Sequence, residues 1–250
     1  MITLLFLFLP LLNGPSSIIA DADNAFLRQD YPRAITLYRS ALQQSSGDRD
    51  RYWKTARAMV CYGDIVSPSD RERWYRDAFT VMKQAMSADS LLSNNLCWYA
   101  VALGYVSMYE GARSTVVNCR VIRESLDEAI KRDPHNDIAY SISGTFYRSL
   151  GNVSWLQRSL ADLLLGGLPP GGFPEAEATL KEAVRLAPTM MRHRYELGLL
   201  YSDWGKNDRA LTTFNEALSC PILIASDSAR VTDMRQRINN LRPSASQLNR

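Results

Sequence analysis

The chain has 250 residues, 46% apolar and 22% charged, enough apolar material for a sizeable buried core. Its 29 Lys and Arg against 26 Asp and Glu leave a net charge of +3, too small and too dispersed for a nucleic-acid footprint. No nucleic-acid partner is expected.

Residues 1–12 form an apolar stretch broken by Pro10, followed by a polar run and then Ala20-Asp21-Ala22, an A-x-A cleavage pattern. Such a stretch is too short to cross roughly 30 Å of hydrocarbon as a helix, which takes about 20 residues. Residues 1–22 therefore read as a secretory signal peptide. The alternatives are an uncleaved N-terminal anchor or a buried helix, because no Lys or Arg precedes Arg28.

A first helical pair is marked by Ala22, Ala25 and Phe26, then by Ala34, Tyr38 and Ala41. A second, over about 51–87, has Ala58 against Ala78, Met82 and Ala85, with Ser69 and Glu72 as a capping pair for its second helix. A looser third, over about 93–133, has Gly104 with Leu126, Ala129 and Pro134.

In the fourth, Tyr140, Gly144, Tyr147 and Gly151 pair with Ala176, Leu180, Ala183 and Pro188, but about twenty extra residues intervene. Within 152–172, Ser154 and Gln157 form a capping box, Leu160, Leu163 and Leu164 form a helical stripe, and glycines end the helix. Pro174 reopens the second helix.

The fifth pair is the clearest. Arg194, Leu197, Gly198, Tyr201, Ala210, Phe214 and Ala217 follow W-x2-L-G-x2-Y…A-x3-F, with Arg in place of Trp. Small residues there let two helices approach closely, and the aromatic fills the space between pairs. A last amphipathic helix, about 227–241, places Val231, Met234, Ile238 and Leu241 on one face as a terminal cap. Pro243 stops it, and 243–250 reads as a flexible tail.

The chain thus resembles a tetratricopeptide-repeat protein. The expected fold is all-α: a right-handed helical solenoid over 23–242 of about five helix pairs, with an inserted helix in the fourth and a C-terminal capping helix. From about 133 to 241 the chain also resembles the regulator of microtubule dynamics family and its bacterial relatives. The residues carrying this are Val153-Ser154-Trp155-Leu156, Leu168-Pro169-Pro170, Glu175-Ala176, Glu182-Ala183, Leu186-Ala187-Pro188 and Glu196-Leu197-Gly198. The resemblance implies the repeat fold with its inserted helix, and leaves a cytoskeletal role open.

Catalytic layouts are missing. The sequence holds no P-loop, no H-E-x-x-H, no G-x-S-x-G and no Rossmann glycine run. Asp133, His135 and Asp137 flank Pro134 in a turn where such residues are expected, so no metal is assigned. His193, between Arg192 and Arg194, reads as part of a solvated cationic face. Among the four cysteines, Cys97 and Cys119 fall on two helices of one pair and are the best placed for a disulfide; small buried packing residues are the alternative. No enzyme activity, metal or cofactor is expected.

In this architecture positions 2, 5, 9 and 12 of each first helix line the concave wall. That count yields Tyr62, Trp98, Tyr105, Arg148, Arg192 and Tyr195, with Tyr109 beside them, as partner-binding candidates for a protein or peptide with apolar anchors and a carboxylate. Some of these aromatics are expected to pack between repeats instead. The inserted helix is expected to fill or roof the groove. The reading that follows is a non-enzymatic scaffold or adaptor of the bacterial envelope, periplasmic or otherwise exported. Its alternatives are a membrane-tethered, cytoplasm-facing microtubule-regulator-like protein and an enzyme with an unrecognised site.

Overall fold

A computed structural model describes residues 15–44, 49–88 and 92–241. The N-terminal apolar stretch and the tail beyond Leu241 lie outside these residues. The described residues contain twelve helices and no strand. Five antiparallel hairpins follow in order: α1 (Pro15–Leu27) with α2 (Tyr31–Gln43), α3 (Arg51–Gly63) with α4 (Pro68–Ser87), α5 (Ser93–Glu110) with α6 (Ala112–Arg132), α7 (Asp137–Gly151) with α9 (Phe173–Leu186), and α10 (Met191–Asp203) with α11 (Asn207–Leu218). The inserted helix α8 (Trp155–Leu165) interrupts the fourth hairpin, and α12 (Ser226–Leu241) closes the array. This is the tetratricopeptide solenoid that the small-residue spacing predicts.

Close approach within the hairpins explains the glycines. A methyl group at Gly144 would collide with Leu180, and one at Gly198 would collide with the ring of Phe214. Phe214 is fully buried, a burial that contributes about 1.5–3 kcal/mol. Two apolar cores result. One runs from Ala22 to Ile142 and the other from Ala176 to Ile238. Helix α7 divides them, with Phe146 packed against the first and Tyr147 against the second.

Caps fix the hairpin ends. Asn136 accepts the N–H groups of Ile138 and Ala139 at the start of α7, while its buried amide donates to Ser93 Oγ (2.8 Å) and Asn94 Oδ1 (2.9 Å) of α5. One side chain thus starts a helix and ties two hairpins together. The capping box of Ser154 and Gln157 forms as the sequence requires. Helix α4 differs from expectation: it begins a turn-fraction earlier, at Pro68 with Ser67 as N-cap, because proline is pre-set for the first helical turn. Helix α9 likewise opens at Phe173, with Glu175 accepting the N–H of Gly172 at 2.9 Å.

The Ala20-Asp21-Ala22 pattern lies inside α1. Ile19 and Ala22 are buried there, and Asp23 accepts from Tyr38 Oη (2.5 Å) and Lys54 Nζ (2.7 Å). A cut after Ala22 would remove two core side chains. All four cysteines are free thiols, with Cys61, Cys97 and Cys119 buried as packing residues.

Candidate functional site

The inner-wall candidates divide by what they touch. Trp98 is 4% exposed and belongs to the first core, so the reading of Trp98 as a partner contact is corrected: position 2 of α5 faces neighbouring helices. Tyr62 is half-buried, edge-on to Trp74 of α4 at 4.9 Å between ring centroids. Tyr105 stacks flat on Tyr75 (4.1 Å), and Tyr109 leans toward the same ring (6.2 Å) while remaining exposed. Asp64 Oδ1 accepts from Tyr75 (2.9 Å) and, at longer range, from Tyr105 (3.4 Å). Burial foremost, and then the Asp64 charge, push the Tyr105 phenol well above its ordinary range, while Arg192 and Arg230 oppose them.

The cations are more constrained than the sequence suggests. Arg148 is held by Asp203 (2.8 Å) and Glu196 (3.3 Å) of α10, and Asn152 adds a bond to Asp203 at 2.7 Å. It fastens the fourth hairpin to the fifth and is not a free clamp. His193 is also corrected. It is 0% exposed, and its Nε2 lies 2.7 Å from Asp137 Oδ2, where the first turn of α7 packs on α10. The same bond and the Asp133 contact to the His135 N–H (3.0 Å) give both carboxylates of the Pro134 turn protein partners. Arg192 is half-buried, and its buried Nε, like that of Arg148, has no hydrogen-bond partner among the described residues.

The inner wall is not an open trough from end to end. Tyr195 donates to Asp233 of α12 at 3.0 Å, with Arg230 over its ring. The loop before α12 reaches the first hairpin, where Ala225 N–H donates to Tyr31 Oη (3.0 Å) and Ile224 packs on the first core. Asp227 shapes that loop by accepting the N–H groups of Leu223 (3.0 Å) and Ile224 (3.1 Å).

Open space lies between the third and fourth hairpins instead. A recess of about 790 Å³ is walled by α5, α6, α7 and α8, with Val101, Met108, Ile122, Ile142, Phe146, Leu160 and Leu164 among its apolar lining. Arg192 is its one charged lining residue among the described residues. Its origin is legible at Gly104. This is the small-residue position of α5, yet a methyl group there would find only Ile122 Cδ1, 3.8 Å away. Where Gly144 and Gly198 are filled by a partner side chain, Gly104 faces a gap. Helix α8 then covers the gap with Ala161, its single buried residue.

Cys119, the one thiol on the recess among the described residues, is held above its ordinary value by burial, so at neutral pH it is not a thiolate. The size and apolar lining fall in the range of ligand sites, roughly 300–1,000 Å³ with few polar groups.

Five stacked helix hairpins, an inserted helix over an apolar recess and a closing helix define a tetratricopeptide-repeat protein. The chain belongs to the regulator of microtubule dynamics family, whose model for proteins 1–3 matches residues 18–242. Regulator of microtubule dynamics protein 2 of Homo sapiens is 28% identical over 195 residues, covering 76% of this chain and 47% of that protein. Protein 1 of Mus musculus is 24% identical over 228 residues, covering 90% and 74%. The chain therefore spans about half the length of the protein 2 relatives it matches. Among solved structures, a thermophilic tetratricopeptide-repeat protein of Thermus thermophilus shares the fold, with a TM-score of 0.65 at 19% identity over 91% of this chain and 98% of that one.

Proposed function

We propose that this protein is a non-enzymatic binding scaffold that seats an apolar anchor of a partner protein in the recess between α5 and α8. Arg192 meets a carboxylate on the same partner segment. The observation that carries this is the coincidence of an unfilled apolar recess with a half-buried guanidinium whose Nε is unpartnered among the described residues. Tyr109 and Met108, exposed at the end of α5, extend the contact outward. Two of the inner-wall candidates, Tyr105 and Arg192, line this recess, so the proposed site is the part of the groove that lies under the inserted helix.

The test is a fluorescence-anisotropy screen of peptides bearing paired Leu or Phe residues and a free C-terminal carboxylate. Ala161→Trp, which fills the recess, should abolish binding, and Arg192→Ala should weaken it about tenfold. Peptides that bind wild type and both variants equally would refute the site.

The predominance of apolar side chains around the recess also favours a second reading, in which a single-chain amphiphile with an anionic head occupies it. Native mass spectrometry of the purified protein separates the two. A discrete adduct lost in the Ala161→Trp variant assigns the recess to the amphiphile.

Export remains part of the main proposal and is supported by the apolar stretch 1–12 alone, because the Ala20-Asp21-Ala22 pattern lies within α1, where a cut would remove the buried Ile19 and Ala22. No helix of the described residues is long and apolar enough to cross a membrane. The mass of the mature N-terminus decides between export and tethering: a start near Asp21 or Asp23 supports export, and an intact Met1 supports the tethered alternative.

A further inference from the structure

Helix α8 is held to the molecule by little packing. Over its eleven residues Ala161 is the one buried side chain, whereas the twelve residues of α11 bury Ala210, Thr213, Phe214 and Ala217. Trp155 and Leu163 project into solvent, 78% and 79% exposed. The apolar burial that seats the other helices is largely missing here. Even so, Leu160, Ala161, Leu164 and Leu165 form one wall of the recess.

Both ends of the helix are complete without the rest of the protein. Ser154 and Gln157 cap its N-terminus reciprocally, and Gly166 and Gly167 turn their N–H groups back on the Ala161 carbonyl. It leaves its seat with these bonds intact. The flanking segments fix where it pivots. Gly166 and Gly167 hold φ of 77° and 86°, a region that glycine enters freely. Outside the insertion the chain is clamped, since a methyl group at Gly151 would collide with Phe173 and one at Gly171 with Tyr147. Those contacts pin the two roots and leave 152–170 between them.

One side chain spans both connections. Arg158 donates from α8 to the Leu150 carbonyl at the end of α7 (3.0 Å) and to the Pro169 carbonyl in the returning loop (3.5 Å). Arg120 of α6 adds a bond to the Gly166 carbonyl at 3.5 Å. We propose that α8 is a hinged lid on the recess, latched by Arg158, and that its outward swing admits the partner's apolar anchor. Admission rests on the reading of the recess as the binding site, while the swing itself is a property of the chain alone. Cys119, buried on the α6 wall of the same recess, reports each opening.

Labelling of the full chain with N-ethylmaleimide, read cysteine by cysteine in peptide mass spectra, tests the lid. Cys61 and Cys97 are buried in the first core and set the rate at which the molecule unfolds as a whole. Cys119 should react roughly tenfold faster than either, because a local opening costs less than global unfolding. Arg158→Ala should raise the Cys119 rate about tenfold and leave both reference rates and the thermal midpoint unchanged. Arg120→Ala, an exposed site, should raise it about threefold, and it decides the matter if Arg158→Ala lowers the midpoint. Uptake of anilinonaphthalene sulfonate, apolar rings bearing one anionic group, should quicken in Arg158→Ala by the same factor as the labelling. Cys119 labelling at the reference rate in all three proteins would overturn the lid. Fast labelling that neither variant changes would do so too, since the recess would then stand open without any swing. Labelling as expected with no dye uptake refutes binding in the recess and still supports the lid.

Discussion

Ala225 donates its backbone N–H to the phenolic oxygen of Tyr31 at 3.0 Å, across 194 positions of sequence. The bond joins the loop before the closing helix to the first turn of α2, and it is the polar part of a contact whose apolar part is Ile224 on the first core. Tyr31→Phe keeps the ring and removes the acceptor. Stability should fall by about 1 kcal/mol in urea titration. Amide exchange at Ala225 and proteolysis within 220–226 should accelerate more than exchange in α5 or α7 does.

The three first-helix glycines should respond differently to a single methyl group. Gly198→Ala and Gly144→Ala force the ring of Phe214 and the side chain of Leu180 to move, at a cost of about 1–3 kcal/mol each. Gly104→Ala meets nothing closer than 3.8 Å and gains helix propensity, so it should stabilise by about 0.5–1 kcal/mol. Thermal midpoints of the three variants check both the ranking and the change of sign.

Glu177 organises the outer face of the last two hairpins, bonding Tyr201 (2.9 Å), Lys206 (3.3 Å), Lys181 (2.6 Å) and Arg209 (3.1 Å). Burial by itself would raise its carboxyl, but the bonds from Lys181, Tyr201 and Lys206 win and bring it down to about 2. A depressed folded-state value stabilises above the ordinary 4.5 and loses that contribution as pH falls from there towards 2. Lys181 and Arg209 are more than half exposed, so solvent screening keeps the contribution to about 1–2 kcal/mol. Glu177→Gln should lower stability at pH 7 by that amount and at pH 2.5 by only about a quarter of it, as chemical denaturation at the two values would show.

At alkaline pH the sign reverses. Burial pushes the phenols of Tyr31 and Tyr195 from 10.0 to about 12, and the thiols of Cys61 and Cys97 from 9.0 to about 12. These groups ionise first in the unfolded chain, so their stabilisation is complete below pH 9 and is lost as pH rises from there to 12. Urea midpoints should be level from pH 7 to 8.5 and fall steadily between pH 9.5 and 11.5. A flat profile through pH 11.5 would contradict the burial of these four side chains.

The sequence makes the hairpins readable because their determinants are local. Gly198 with Phe214, and Gly144 with Leu180, announce a close helix pair through spacing alone, and Ser154 with Gln157 announces α8 through cap chemistry. What sequence reasoning missed depends on distant pairings. His193 looks solvated between two arginines until α7 brings Asp137 to it. Arg148 looks like a free clamp until α10 supplies Glu196 and Asp203. The recess leaves no trace in the sequence: Gly104 has Ile122 and Leu126 as counterparts on α6, and only the fold shows that Ile122 stops 3.8 Å short of it. The leucine stripe of α8 misleads in part: Leu160 and Leu164 border the recess while staying exposed, and Leu163, 79% exposed, is not part of its lining.

An open solenoid behaves like a stack of coins, to which units can be added at either end with little effect on the others. Tying the loop at Ile224 and Ala225 to the first hairpin turns this stack into a bracelet with a clasp. A bracelet has a fixed circumference, so duplicating or deleting one hairpin would part the clasp. Damage at either terminus is felt at the opposite one, and the number of units becomes a property of the whole.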